Sequence, residues 1–492
     1  MENKLYVLVN KITGDALFEF DKNNNSRIIV GPYAVLEEML INNENMPENL
    51  IIVSEEEYFL SKKKNIKNQK NMDVKDKLCD EILEMIHNGL PKNLKNAIEF
   101  DSEKNDRNVN GFPSIIRCIG NDDIKKNLWE RFDAYEQYLK NKIAFNNDSQ
   151  LLNDINSNIR HIKSAWQWYQ KGNINKATEQ IESLLEGYVS DDFFVTELKK
   201  AYGIKQIAGY NELKEEGFDY SEMEQHPITL YRGRISEKVL CHRKEMLHRP
   251  YKKYEKIPRQ RFTCEGMPAL YLSTTSYTSW LELGRPKEDF YVSVFVPDER
   301  GERLRILNIV IVEDMINGFY NVPIERKNIR REELQAKMIS FLPLVMATSY
   351  KYLDSHEDKV EYVIPELVMR SLKKFGIDGV AYLSKHLEHD LQLQIGVNIA
   401  IPIYEEHLNQ GYGAVSRYFK ISKPEIYSEQ AKESYAKCEG GSYINDIYYR
   451  QETSYQPSIN LADGAQSYGN TVFAKFDNYM VNTELKYYDE ED

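Results

Sequence analysis

Residues 266–282 read Gly-Met-Pro-Ala-Leu-Tyr-Leu-Ser-Thr-Thr-Ser-Tyr-Thr-Ser-Trp-Leu-Glu. A short apolar run, entered through Gly266 and Pro268 and left through Ser273 and Thr274, reads as a β-strand. Glu282 follows nine residues after Ser273. Two further segments have the same form. Residues 228–233, ITLYRG, are an apolar strand ending in Tyr231-Arg232, and residues 375–384, FGIDGVAYLS, end in Ser384. Each places a polar or charged side chain at or just beyond a strand end, where sheets expose functional groups to a cleft.

Around these lie more short β-rich runs: FYVSVFVP at 290–297, LRILNIVIV at 304–312 and VNIAIPIY at 397–404. Helical patterns separate them, at 331–347 and at 360–376, the latter ending at Gly376 as a helix C-cap would. The expected class is α+β, with a mixed or antiparallel sheet. Upstream, residues 1–60 alternate apolar and polar positions and predict a small strand-rich module with one helix near residues 34–41. A lysine-rich linker at 61–72 follows. Residues 73–215 carry helical periodicity and read as a helical domain. Its pieces begin at Asp73 (Val74, Leu78, Ile82, Leu83, Ile86), run over 123–138 (Leu128, Phe132, Tyr135, Tyr138), and then cover 150–170 and 174–188. A shorter helix follows Asp191-Asp192. The third domain spans 226–425. A Tyr-, Ser- and Gly-rich extension, 426–492, closes on an acidic YYDEED expected to be disordered.

Composition narrows the function classes. The chain has 492 residues, 41% hydrophobic and 29% charged, enough to bury more than one core. No apolar run approaches the ~18 residues of a membrane span, and no signal-peptide pattern opens the sequence, so a cytoplasmic protein without a membrane partner is expected. The five cysteines form no CxxC pair and read as buried thiols in a reducing compartment. A formal net charge of −13 disfavours nucleic acid as the main partner. Phosphate-loop, GxGxxG, HEXXH and GxSxG motifs are absent. His386 and His389 make an HxxH spacing without a carboxylate at a matching place, so no metal site is expected.

The three strand-end segments resemble, in order, the motifs of the RES family, named for its Arg, Glu and Ser. LYRG supplies Arg232. RFTCEGMPALYLSTTSYTSWLE, 261–282, matches an Arg-aromatic-Asn step, a Gly-x-Pro-x-Leu-Tyr strand and a Glu on the following helix. YVIPELVMRSLKKFGIDGVAYLS, 362–384, matches a tyrosine-initiated helix, Gly-x-Asp-Gly and a strand ending in Tyr-x-Ser. The resemblance covers about 226–405. It departs from the family at Thr263, where Asn is expected, at Glu366, where Gln is expected, and in a longer stretch around 298–358.

The resemblance implies a fold similar to that of ADP-ribosylating toxins and an activity on NAD. NAD would be substrate, with no permanently bound cofactor. Arg232, Glu282 and Ser384 would be the catalytic residues. Tyr231, Arg261, Tyr271 and Ser273 would bind substrate. The chemistry suits those residue types: a guanidinium grips diphosphate oxygens in pairs, and a carboxylate stabilises the oxocarbenium-like ribose left by departing nicotinamide. A serine would contact substrate rather than attack it, because no base is evident beside it. Cleavage of the nicotinamide–ribose bond by water or phosphate is the expected reaction, in a toxin or defence setting with an inhibitory or antitoxin protein as partner. A mono-ADP-ribosyltransferase and a non-catalytic nucleotide-binding module are the alternatives. A HEPN-like nuclease in the helical region lacks the needed Arg and spaced His, since Arg160 is followed directly by His161.

Overall fold

The computed structural model describes residues 124–141, 149–205, 227–250, 260–264, 266–311, 329–352, 359–387, 395–404, 412–435 and 464–490, with short pieces at 119–120, 408–409, 441–442 and 458–461. It also describes strands within 6–54. The predicted helices near 34–41 and from Asp73, the lysine-rich linker and parts of the long 298–358 stretch lie outside the described residues. Two compact units emerge, one of 1–110 with 461–465 and one of 111–460 with 466–492. In the first, Tyr6–Asn10 pairs antiparallel with both Val30–Gly31 and Leu50–Ser54, and Phe18–Phe20 pairs with Ser26–Ile28.

The second unit is α+β. Its mixed sheet has nine strands: β1 (Val195–Glu197), β2 (Leu230–Ile235), β3 (Ala269–Ser273), β4 (Phe290–Pro297), β5 (Arg305–Asn308), β6 (Gly379–Leu383), β7 (Val397–Pro402), β8 (Phe419–Ile421) and β9 (Glu425–Ile426). The order is β8-β4-β2-β3-β7-β6-β5-β1, with β9 also on β4. β5 and β6 run parallel; their neighbours are antiparallel. The short helix expected after Asp191-Asp192 is preceded by β1, and helical turns follow only at Leu198–Lys200 and Tyr202–Lys205. Val195 and Thr196 pair instead with Leu307 and Ile306, because an open sheet edge offers the backbone partners a lone helical turn lacks.

One junction matters most. β2 and β3 share a single paired position, Tyr231 with Ser273, and part beyond it. The sheet therefore forks between Arg232–Ile235 and Ala269–Leu272.

Among the described residues, seven helices of seven residues or more accompany the sheet: α1 (Ile124–Asn141), α2 (Ser149–Gln170), α3 (Ile174–Leu185), α4 (Ser276–Glu282), α5 (Ile329–Thr348), α6 (Val363–Ser371) and α7 (Val472–Val481). On α2, Leu151, Ile155, Ile159, Ile162 and Trp166 recur at three- and four-residue steps and are all buried. Each such side chain contributes roughly 1.5–3 kcal/mol on leaving water. The stripe packs on α3 and α5, and these residues belong to the same hydrophobic cluster as Leu367 of α6 and Val380 and Ile399 of the sheet. Helices α1–α3 and the sheet thus share one core.

Pro343 sits inside α5. A proline has no N–H for the carbonyl four residues back, which is that of Ile339. The buried Tyr135 hydroxyl of α1 donates to that oxygen at 2.8 Å, so the break in the helix is satisfied from a neighbour. Gly376 ends the helical stretch after α6 with φ 59°, the left-handed cap its position predicts.

The acidic tail is ordered through Glu490, against expectation. Lys486 bridges Ile421, Tyr488 is buried against Tyr412, and Asp489 pairs with Arg417. Alternating its charges with aromatic rings lets the tail dock where a purely charged one would stay solvated. Among the described residues, no helix is long and apolar enough to cross a membrane.

Candidate functional site

A cavity of about 620 Å³ opens in the fork between β2 and β3. Arg232, Arg234 and Ile235 line it from β2, Ala269 and Tyr271 from β3, and Glu282 from the end of α4. Tyr382 and Lys385 with His386 reach it from the end of β6, and Asn398 from β7. The sheet order explains the convergence: β3, β7 and β6 are successive neighbours, so residues 282, 384 and 398 meet across them although more than a hundred positions separate the first from the others.

Glu282 is the centre. Its Oε1 accepts the Ser384 hydroxyl at 2.6 Å and the Asn398 Nδ2–H at 2.8 Å. The former distance is that of a charge-assisted O–H···O⁻ bond. Asn398 is itself oriented by Ser273, whose hydroxyl donates to Asn398 Oδ1 at 2.6 Å. Ser384 and Asn398 are both 3% exposed, so this scaffold is buried while the Glu282 side chain keeps a third of its surface open. Glu282 Oε2 lies 3.9 Å from His386 Nε2. The His386 amide donates to the Ser384 hydroxyl oxygen at 3.2 Å, so one hydroxyl touches both neighbours of the cleft.

Two contacts hold the N-terminus of α4. Thr275 caps it through Thr278 N–H, and the buried Asp477 carboxylate of α7 accepts the Ser276 N–H at 3.2 Å. Tyr468 donates its hydroxyl to Asp477 at 2.6 Å. Burial pushes the Asp477 carboxyl up to about 7, against the lowering effect of its bonds from Ser276 and Tyr468.

The opposite wall is basic. Arg232 donates from one terminal nitrogen to the Tyr271 carbonyl at 2.8 Å, a side-chain bond bridging the fork, while its buried Nε has no protein partner among the described residues. Burial, with Arg234 alongside, lowers its guanidinium to about 9. Burial and Arg249 lower Arg234 as well. On the far side, Lys385 donates to the Tyr362 hydroxyl at 3.2 Å, and burial together with Arg261 brings it down to about 8. Among the described lining residues, Arg249 and Lys359 complete six Arg and Lys side chains, against one carboxylate, Glu282. Such crowding of like charge, in a chain of net charge −13, suits an anionic ligand.

The residues singled out from sequence divide clearly. Arg232, Glu282 and Ser384 come together at the cavity, with Ser384 just behind Glu282. Tyr271 lines it too, its hydroxyl held by Thr263 at 2.5 Å and by the Arg261 carbonyl at 2.7 Å. Thr263 thus serves to hold the tyrosine hydroxyl. Ser273 lines the cavity but spends its hydroxyl on Asn398. Arg261 also lines it, yet its two terminal nitrogens tie the Leu383 carbonyl and the Ser349 hydroxyl, which makes it largely a brace. Tyr231 does not reach the cavity. Side chains alternate along a strand, so with Arg232 in the cleft Tyr231 faces the other side. There it is fully buried and donates to the Asp477 carbonyl at 3.1 Å. Asn398, Lys385 and Tyr362 were not anticipated as site residues. The sequence marks His386 only through its HxxH spacing with His389.

Fold and cavity define an α+β protein with a forked sheet and a basic cleft centred on one anchored carboxylate. The chain is similar to a protein of Bacillus subtilis (strain 168) named "Putative toxin YopC", 24% identical over 323 residues, 63% of this chain and 67% of that one. No protein-family profile matches the chain, and no solved structure matches it.

Proposed function

We propose that the chain is a toxin-like enzyme of RES type that cleaves the nicotinamide–ribose bond of NAD. The observation that carries this reading is the Glu282 carboxylate, fixed by Ser384 and Asn398, in a cavity whose other wall is formed by Arg232 and Arg234. The order of the RES-like motifs supports it, as does the similarity to a protein named a toxin.

In this reading Arg232 and Arg234, with Arg249, hold the diphosphate through charge-assisted bonds. Tyr271 or Tyr382 presents a ring to the nicotinamide or adenine. As nicotinamide leaves with the bonding pair, positive charge grows on the ribose C1′ and O4′. Glu282, already oriented by Ser384 and Asn398 before substrate enters, stabilises that charge without rearranging. Ser384 and Asn398 hold its Oε1 so that Oε2 faces the reaction.

The test is product analysis. Purified full-length protein is incubated with NAD, with and without inorganic phosphate, and the products are separated by chromatography. Nicotinamide release that is lost in Arg232→Ala and Glu282→Ala supports the reading. Binding of NAD with no nicotinamide released by the wild type overturns it in favour of a nucleotide-binding module. Transfer of ADP-ribose to a protein side chain moves it to the transferase class.

A further inference from the structure

We infer that His386 is a catalytic base, taking a proton from the water molecule that attacks the ribose, so that the acceptor is water. The inference rests on the NAD-cleaving reading of the same site.

The geometry distinguishes the two oxygens of Glu282. Oε1 is saturated by Ser384 and Asn398, whereas Oε2 faces His386 Nε2 at 3.9 Å. That separation is too long for a direct hydrogen bond and short enough for both atoms to touch a single water oxygen on the cavity side. His386 is positioned by the same hydroxyl that positions Glu282, because its amide donates to Ser384 Oγ at 3.2 Å. Its side chain is 35% exposed and lines the cavity.

The other groups on that wall are unsuited. Arg261 spends its two terminal nitrogens on the Leu383 carbonyl and the Ser349 hydroxyl. Lys385 donates to Tyr362 and pairs with Glu361 at 3.8 Å. Tyr382 is raised well above the ordinary phenol range by burial and by Glu282, so it stays protonated. An imidazole, in contrast, exchanges protons near neutrality, and a neighbouring carboxylate stabilises the imidazolium that forms.

The step balances. The water oxygen bonds to C1′ as the C1′–N bond to nicotinamide breaks, and the bonding pair neutralises the pyridinium ring. The water proton passes to His386 Nε2, leaving ADP-ribose and nicotinamide. For this His386 carries its resting proton on Nδ1.

The experiment uses the full chain. His386→Ala lowers kcat for nicotinamide release by about 100-fold while KM for NAD changes little, the size expected of a lost general base. Added imidazole restores part of the rate, which a merely structural role does not predict. His386→Asn, which keeps a polar side chain but cannot take the proton, is impaired to the same degree. With phosphate present, wild type still yields ADP-ribose. The inference is overturned if either variant keeps its kcat, if imidazole fails to restore His386→Ala, or if phosphate diverts the product to ADP-ribose 1″-phosphate. In those cases wild-type nicotinamide release leaves the NAD-cleaving reading standing. A wild type that releases none overturns both.

Discussion

Replacing Ser384 by alanine removes one hydroxyl and tests the anchored carboxylate directly. The lost bond is 2.6 Å long and ends on an oxygen of Glu282 that also accepts from Asn398. A hydrogen bond to an ionised group contributes about 1.5–3 kcal/mol. If that energy orients the carboxylate in the transition state, kcat/KM falls by about ten- to hundredfold, at 1.36 kcal/mol per decade. Ser384 is buried, so some stability is lost as well, about 1 kcal/mol by the usual worth of one bond. Thermal unfolding separates this cost from the kinetic one. The assay is nicotinamide release by Ser384→Ala and Asn398→Ala, alone and together, and again in a Glu282→Gln background. The two hydroxyl- and amide-borne bonds share one acceptor, so their effects are coupled and both shrink once the charge is gone. An unchanged kcat/KM in Ser384→Ala refutes the reasoning. So does a hundredfold loss that persists undiminished on Glu282→Gln, because the serine would then act elsewhere.

Arg232→Ala raises KM for NAD by about ten- to hundredfold through the lost charge-assisted bonds to diphosphate, and flattens the salt dependence of binding; titration of NAD at two ionic strengths checks both. Tyr231→Phe costs about 1 kcal/mol in urea unfolding through its bond to the Asp477 carbonyl and leaves nicotinamide release intact, since its ring lies away from the cavity. Asp477 titrates at about 7 in the fold against its ordinary 3.8, so the folded chain keeps a proton that the unfolded chain has released across that interval. Its contribution therefore makes stability fall as pH rises from about 4 to 7 and level off above; Asp477→Asn removes that slope in denaturant titrations between pH 4 and 8.

The parts of the site that were legible are those whose signal is local. Arg232, Glu282 and Ser384 each follow a short apolar run, and strand ends project side chains into clefts. Tyr231 adjoins Arg232 in sequence but not in the cleft. The two-residue period of a strand sends neighbours to opposite faces. Asn398 lies within an otherwise apolar strand, and nothing in VNIAIPIY marks it; its role depends on the register that sets it opposite Ser273. His386 lies two residues beyond Ser384, yet its approach to Glu282 depends on β6 and α4 being brought together by β3 and β7. The α+β class was likewise legible from the alternation of strand and helix patterns. Amphipathic stripes on α1–α3 say that a face is buried but not against what, so the sharing of one core with the sheet appears only in three dimensions.

The measurement that bears most directly on the central claim is a time course of nicotinamide release from NAD by the full-length protein, beside Glu282→Gln. This account predicts steady release by the wild type and a loss of at least a hundredfold in the variant, with NAD still bound and the fold intact by thermal unfolding. Equal rates in the two proteins, or no release by a wild type that binds NAD, would contradict it.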